Sequence, residues 1–247
     1  MSIPKIIHYC WFGGGPLPEL ALRCIESWKR FCPDYEIRRW DETDFDASQN
    51  RYAQQALEAG KWAFVSDYAR LKIVYDCGGI YLDTDVELLR PLDDLLEYKG
   101  FLGFQNRSEV ATGLGFGAEA QNPVIGAMLH GYDGISFRQP DGSLDLLPCP
   151  KRNTEALLSL GLCSNGSRQL LDGVLILPPE VLCPIHPLTG KQDLTPAARS
   201  IHHFQGSWKP EPPAFERRLK KLLGNRLYYS GYGRLKKYYS LLRKHFS

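Results

Sequence analysis

An α/β domain, a parallel sheet covered by helices, is what this 247-residue sequence predicts, on three observations from its first forty residues. "PKIIHYCWF" (Pro4 to Phe12) is a run of β-branched and aromatic residues that ends in Gly13-Gly14-Gly15-Pro16, which reads as a buried strand entering a loop. "ELALRCIESWKRFCP" carries Ala21, Cys24, Ile25 and Trp28 at helical spacing and stops at Pro33. "YEIRRW" (Tyr35 to Trp40) is a second short strand. Strand, helix and strand in that order predict a βαβ unit and hence a parallel sheet.

The later elements follow the same logic. "YAQQALEAG" is a short helix ended by Gly60, and "SDYARLKIVYDCGG" a longer one, with Ser66 as its N-cap and Gly78-Gly79 as its stop. "IYLD" returns to strand, so that Asp83 and Asp85 fall at the C-terminal end of a central strand, the edge where open α/β sheets bind ligands. "GFLGF", "GLGFG", "GVLILPP" and "SIHHF" read as strands. Asn122 caps a helix through "PVIGAMLHGY", and Thr154 caps a short helix in "NTEALLSLGL". The Pro-rich "KPEPP" (Lys209 to Pro213) closes the globular part, giving a domain over residues 1–210 and a tail over 211–247.

Composition narrows the classes. With 43% hydrophobic residues the chain can bury one substantial core. No apolar run approaches the roughly 20 residues that span a bilayer, and the N-terminus lacks the apolar core of a signal peptide, so a cytoplasmic protein is expected. The seven cysteines include no CxxC pair, which argues against a disulfide framework and a thiolate zinc site.

Charge is unevenly placed. The net +2 combines an acidic first part, −7 up to Phe215, with a tail from Glu216 that holds ten Lys or Arg and one acid. In that tail the cations alternate with Leu219, Leu222, Leu223, Leu235, Tyr238, Tyr239 and Leu242 at helical spacing. This is the pattern of a helix lying in an anionic membrane interface, or of a helix pair docked on the domain. No motif that reads nucleic acid accompanies the charge.

The chemistry centres on residues 66–85. Asp67 and Arg70, three apart, share a helix face, and Asp83-Thr84-Asp85 follows on the next strand. Each half has a plain reading, a surface ion pair and a solvated strand end. Together, paired carboxylates at a sheet edge suit Mg²⁺ or Mn²⁺, which take their remaining ligands from water and substrate phosphates. A second Asp-x-Asp, Asp44-Phe45-Asp46, has no strand before it. Val86-Glu87 follows the first pair where a haloacid-dehalogenase-type phosphotransferase has Gly-Thr, which argues against that chemistry.

"IPKIIHYCWFGG", "SDYARLKIVYDCGGIYLDTDVELL", Cys183-Pro184 and "IHHFQGSW", in this order, resemble the DxD-containing glycosyltransferases of family 32. The resemblance implies a GT-A fold with a Rossmann-like mixed central sheet, a nucleotide-sugar donor, Mn²⁺ (or Mg²⁺) and transfer with retention. It implies Asp85 as main metal ligand, Asp83 as bridge between metal and donor, and Asp67 and Arg70 on the donor sugar. Tyr81 would support that wall and Trp11 would stack on the nucleobase. His203 rather than His202 would join the metal, and Ser207 and Trp208 would close over the diphosphate. Expected partners are the donor, a glycan or lipid-linked acceptor and an anionic membrane surface. A non-catalytic binding protein of the same fold is the competing expectation.

Overall fold

The computed structural model describes residues 3–185 and 194–205. Nine strands and six α-helices are formed among these, with β1 at Ile6–Cys10, α1 at Glu19–Phe31, β2 at Glu36–Trp40, α2 at Arg51–Glu58, α3 at Trp62–Cys77 and β3 at Gly79–Tyr81. There follow β4 at Val86–Leu88, β5 at Gly100–Gly103, β6 at Phe116–Ala118, α4 at Pro123–His130, α5 at Cys149–Ser159, β7 at Gln169–Leu171, β8 at Val174–Leu177, α6 at Pro179–Leu182 and β9 at Ser200–His202.

The α/β class is as expected, and the sheet is mixed. Its order is β2-β1-β3-β6-β5-β8-β7. The predicted βαβ unit is present, because β1 pairs in parallel with both β2 and β3. Beyond β3 the direction reverses: β6 is antiparallel to β3 and β5, while β5 and β8 are parallel. A separate antiparallel pair joins β4 to β9.

Two apolar layers hold the sheet. Alternating side chains of β3 show why: Ile80 belongs to the layer with Cys24, Ile25 and Trp28 of α1, and Tyr81 to the layer with α3, α4 and α5. Helix α1 thus covers one face and α3 the other. α1 also anchors the segment after Asp85, since Trp28 Nε1 donates to Val86 O at 2.7 Å and Ser27 Oγ accepts from Leu88 N at 2.9 Å. Buried His8 of β1 ties the end of α3 to β2: its Nε2 bonds Gly78 O at 2.9 Å and its Nδ1 accepts from Trp40 Nε1 at 3.1 Å.

Three local expectations are corrected. Helix α3 starts at Trp62, so Ser66 is not its cap. The Ser66 hydroxyl donates instead to Trp62 O, one turn back inside the helix. Thr154 likewise lies inside α5, which begins at Cys149 behind Pro148; its hydroxyl bonds Pro150 O and accepts from Val110 N. "GLGFG" is only partly strand, because Thr112–Leu114 form a 3-10 turn before β6. Asn122 caps α4 as expected, accepting from Val124 N and Ile125 N. The tail beyond residue 205 lies outside the described residues.

Candidate functional site

The site forms where β3 runs out. Leu82 N still bonds His8 O, continuing the β1 ladder for one residue, and the chain then turns, with Val86 N donating to Asp83 O at 2.9 Å. That turn holds Asp83 and Asp85 between the large sheet and the β4–β9 pair. In the pair's register Val86 faces His202, so β9 delivers a histidine beside the two aspartates. His202 Nε2 lies 3.3 Å from Asp85 Oδ1 and 3.8 Å from Asp83 Oδ2. One ligand atom from each of Asp83, Asp85 and His202 falls within 4.8 Å of the others, the cluster of that kind found among the described residues. Two carboxylates and an imidazole at this spacing fit a divalent cation such as Mn²⁺.

The expected histidine is therefore displaced by one. His203 Nε2 meets Glu87 Oε2 at 2.9 Å, while its backbone N–H donates to Asp85 O. His202 is the last residue of β9 and His203 the first beyond it, and only the His202 imidazole is turned to the aspartates. Gln205 N donates to Asp85 Oδ2 at 3.0 Å, fixing that carboxylate from the far side.

Arg70 joins both halves of the site. It is buried, with Nη2 2.9 Å from Asp67 Oδ1 and 3.4 Å from Asp83 Oδ1, and with Nε donating to Ser66 O. Its guanidinium lies 5.2 Å from the centre of the Tyr81 ring. The plain reading of Asp67 and Arg70 as a surface pair fails, because neither is at the surface. Burial pushes the Asp67 carboxyl above the usual range, with Arg70 pulling the other way. Burial acts against the charge of Asp83 too, but Arg70 and hydrogen bonds from His202 and Tyr81 outweigh it and hold that carboxyl below the usual range.

Other groups here had no signal in the sequence. The Cys149 thiol, at the start of α5, donates to Asp67, and burial raises its pKa well above the usual thiol range. Asn153, one turn on, donates to Thr112 Oγ1 at 3.0 Å. Next to Thr112, a Cβ on Gly113 would stand 2.6 Å from Asp83 Oδ2 and 3.0 Å from Arg70 Nη1. Only a residue without a side chain fits there. A reading that took this turn for strand had no means to find it.

Trp11 leaves the end of β1 half-buried, its Nε1 donating to Gly15 O at 2.7 Å. The second Asp-x-Asp is unrelated to the cluster: Asp46 caps a 3-10 turn at Ala47–Gln49 and accepts from Ser48. Ser207 and Trp208 lie outside the described residues.

Similarity to known proteins falls on the same region. Residues 18–102 match the family described as "Glycosyltransferase sugar-binding region containing DXD motif". Inositol phosphoceramide mannosyltransferase 3 of Schizosaccharomyces pombe (strain 972 / ATCC 24843) is 33% identical over 109 residues, 41% of this chain and 29% of that protein. The chain thus matches less than a third of that relative's length. Among solved structures, the PaToxG glycosyltransferase gives a TM-score of 0.49 at 19% identity, covering 64% of this chain and 69% of that one. A glycosyltransferase involved in glycosylation of the major capsid of PBCV-1 gives 0.49 at 12% identity, covering 83% and 95%. The matched segment contains Asp67, Arg70, Asp83 and Asp85 in the arrangement described above, so the part of the chain that carries the site is similar to the sugar-binding region of DXD-containing glycosyltransferases.

Proposed function

We propose that this protein is a metal-dependent hexosyltransferase of the GT-A type. It moves a sugar, with retention, from a nucleotide-diphosphate donor to a glycan or lipid-linked acceptor in surface polysaccharide synthesis. The observation that carries the reading is the convergence of Asp83, Asp85 and His202 within 4.8 Å, beside an Arg70 already buried against Asp67 and Asp83. A bound divalent cation would neutralise charge on the departing diphosphate. Asp85 and His202 would hold that cation, and Asp83 would stand between it and the donor. Asp67 and Arg70 would take hydroxyls of the transferred sugar, with the fixed guanidinium adding positive charge where negative charge develops. Tyr81 keeps Arg70 in place from beneath, and Trp11 would meet the nucleobase.

The favoured donor is a UDP-sugar. GDP-mannose is retained as competitor, since the yeast relative is named a mannosyltransferase. The basic tail would hold the protein reversibly at the inner face of the cell membrane, which suits a lipid-linked acceptor; each basic residue near such a surface contributes about 1 kcal/mol. Incubation with Mn²⁺ and a panel of UDP- and GDP-sugars tests the catalytic reading. Slow release of nucleotide from one donor supports it, and release from none favours a binding-only protein. Pelleting with anionic vesicles before and after truncation at Lys209 tests the tail; equal pelleting would remove that part of the proposal.

A further inference from the structure

We propose that Trp62 is a second aromatic wall of the nucleobase slot, opposite Trp11, with the Gly13–Gly15 loop as its floor. This deepens the donor reading above and rests on it. Three independent features point to Trp62.

The first is topology. Strand β1 lies between β2 and β3, parallel to both, and the helices that follow in the chain cover opposite faces, α1 one and α3 the other. That is a switch point, and the crevice outside the carboxyl end of such a strand is where open α/β sheets take nucleotides. Trp11 reaches this edge from the α1 side, packed against that apolar layer, whereas the next residue, Phe12, belongs to the α3 layer. Trp62 is the first residue of α3 and comes to the same edge from the other face.

The second is the contact with the loop. Gly13 has φ +90°, and a Cβ there would stand 2.7 Å from Trp62 Nε1 and 2.9 Å from Cε2. The indole therefore lies directly on the loop backbone, and only glycine permits both the conformation and the approach. Glu42 fixes the loop by accepting from Gly13 N. Even so, Trp62 stays 40% exposed, a large aromatic surface left open against the loop that follows Trp11, whose own N–H is occupied by Gly15 O.

The third is alignment with the cluster. Trp62, Ser66 and Arg70 are spaced four apart on one stripe of α3, linked by the hydrogen bonds Ser66 Oγ to Trp62 O and Arg70 Nε to Ser66 O. Eight residues of helix span about 12 Å. The stripe thus runs from the carboxylates, where a diphosphate would sit, to the loop, where its base would lie. Stacking on a base requires only a π-face, which Trp62 supplies.

Calorimetric titration of the full chain with UDP, GDP and inorganic pyrophosphate in the presence of Mn²⁺ tests this without any turnover. Trp62→Ala is expected to weaken binding of the preferred nucleotide about ten-fold or more, to leave pyrophosphate within about two-fold of the unaltered protein, and to melt at an unchanged temperature. Trp62→Phe should recover most of the loss, because a smaller π-face remains. Gly13→Ala, which keeps Trp62 but drives its indole off the loop, should weaken nucleotide in the same direction. Equal nucleotide binding by Trp62→Ala and the unaltered protein overturns the inference while leaving the donor reading intact. A parallel loss of pyrophosphate and nucleotide with a lowered melting temperature also overturns it, by assigning Trp62 a structural role. If the unaltered protein binds neither UDP nor GDP, the donor reading itself fails and takes the inference with it.

Discussion

The imidazole of His202 stands 3.3 Å from the carboxylate of Asp85, and His203, its neighbour, is turned to Glu87. Two adjacent histidines at the end of β9 are therefore separable by mutation. Mn²⁺ affinity measured by calorimetry or electron paramagnetic resonance should fall by about ten-fold or more in His202→Ala, since losing even a group that only supports a metal ligand costs about that much. His203→Ala should change affinity little. The reverse result would return the metal to His203.

The same titration separates the two Asp-x-Asp motifs. Asp85→Ala removes a carboxylate from the cluster and should abolish metal-dependent turnover. Asp46→Ala removes an acceptor for Ser48 N and Oγ at a surface turn away from the cluster. Its metal affinity and turnover should match the unaltered protein. Loss of metal binding in Asp46→Ala would show that the motif's position after β3 is not what matters.

What could be read in the sequence and what could not divide along local and non-local lines. The first βαβ unit, the Gly78 stop of α3 and the Asn122 cap are written in side chains within a turn or two of where they act, and all three are found. The reversal at β6 depends on which strand edge is free after β3, which no short pattern encodes. The proximity of Asp67, Arg70, Asp83 and Asp85 is legible because they lie within nineteen residues of one another in sequence. Which of His202 and His203 lies beside the aspartates rests on the Val86 register, set more than a hundred residues away, which no local pattern shows. Gly113 and Cys149 act on Asp83 and Asp67 only through the packed fold.

Arg70 has a structural role besides the binding role proposed for it. Its side chain, 4% exposed, is the cation next to buried Asp67 and part-buried Asp83, so Arg70→Met would leave both carboxylates without it. Removing one partner of a buried ion pair costs about 3–5 kcal/mol, and urea unfolding should show a loss of that order. Arg70→Lys should recover part of the stability, because an ammonium can reach one carboxylate but lacks the planar fork that spans both. Full stability in Arg70→Met would mean that Asp67 and Asp83 take up protons at no cost.

Gly113→Ala tests the close approach over Asp83. The added methyl would stand 2.6 Å from Asp83 Oδ2, and the softest response is for the Asp83 and Arg70 side chains to shift. Function should therefore suffer more than folding. We expect Mn²⁺ affinity and turnover to fall at least about ten-fold, as for displaced supporting groups around a metal, with a melting temperature within a few degrees of the original. Unchanged affinity would show that the turn at Thr112–Leu114 yields instead.

Stability should also depend on pH through His8. Burial lowers its pKa from 6.5 to about 4, against a smaller opposing effect of the hydrogen bond to Gly78 O. In the folded protein the ring is neutral, donating from Nε2 to Gly78 O and accepting at Nδ1 from Trp40. A proton on Nδ1 would face the indole N–H and break that bond. Between pH 6.5 and 4 the unfolded chain binds this proton and the folded chain does not. Its contribution is therefore intact above pH 6.5 and is lost as the pH falls through that window, by up to about 3 kcal/mol at about 1.4 kcal/mol per unit. Urea titrations at pH 7.5 and 5.0 on the unaltered protein and on Trp40→Phe isolate the effect from the carboxylates. With no indole N–H to oppose it, Nδ1 should protonate more readily when folded, and Trp40→Phe should lose less stability between the two pH values. An identical loss in both proteins would assign the acid sensitivity to other groups.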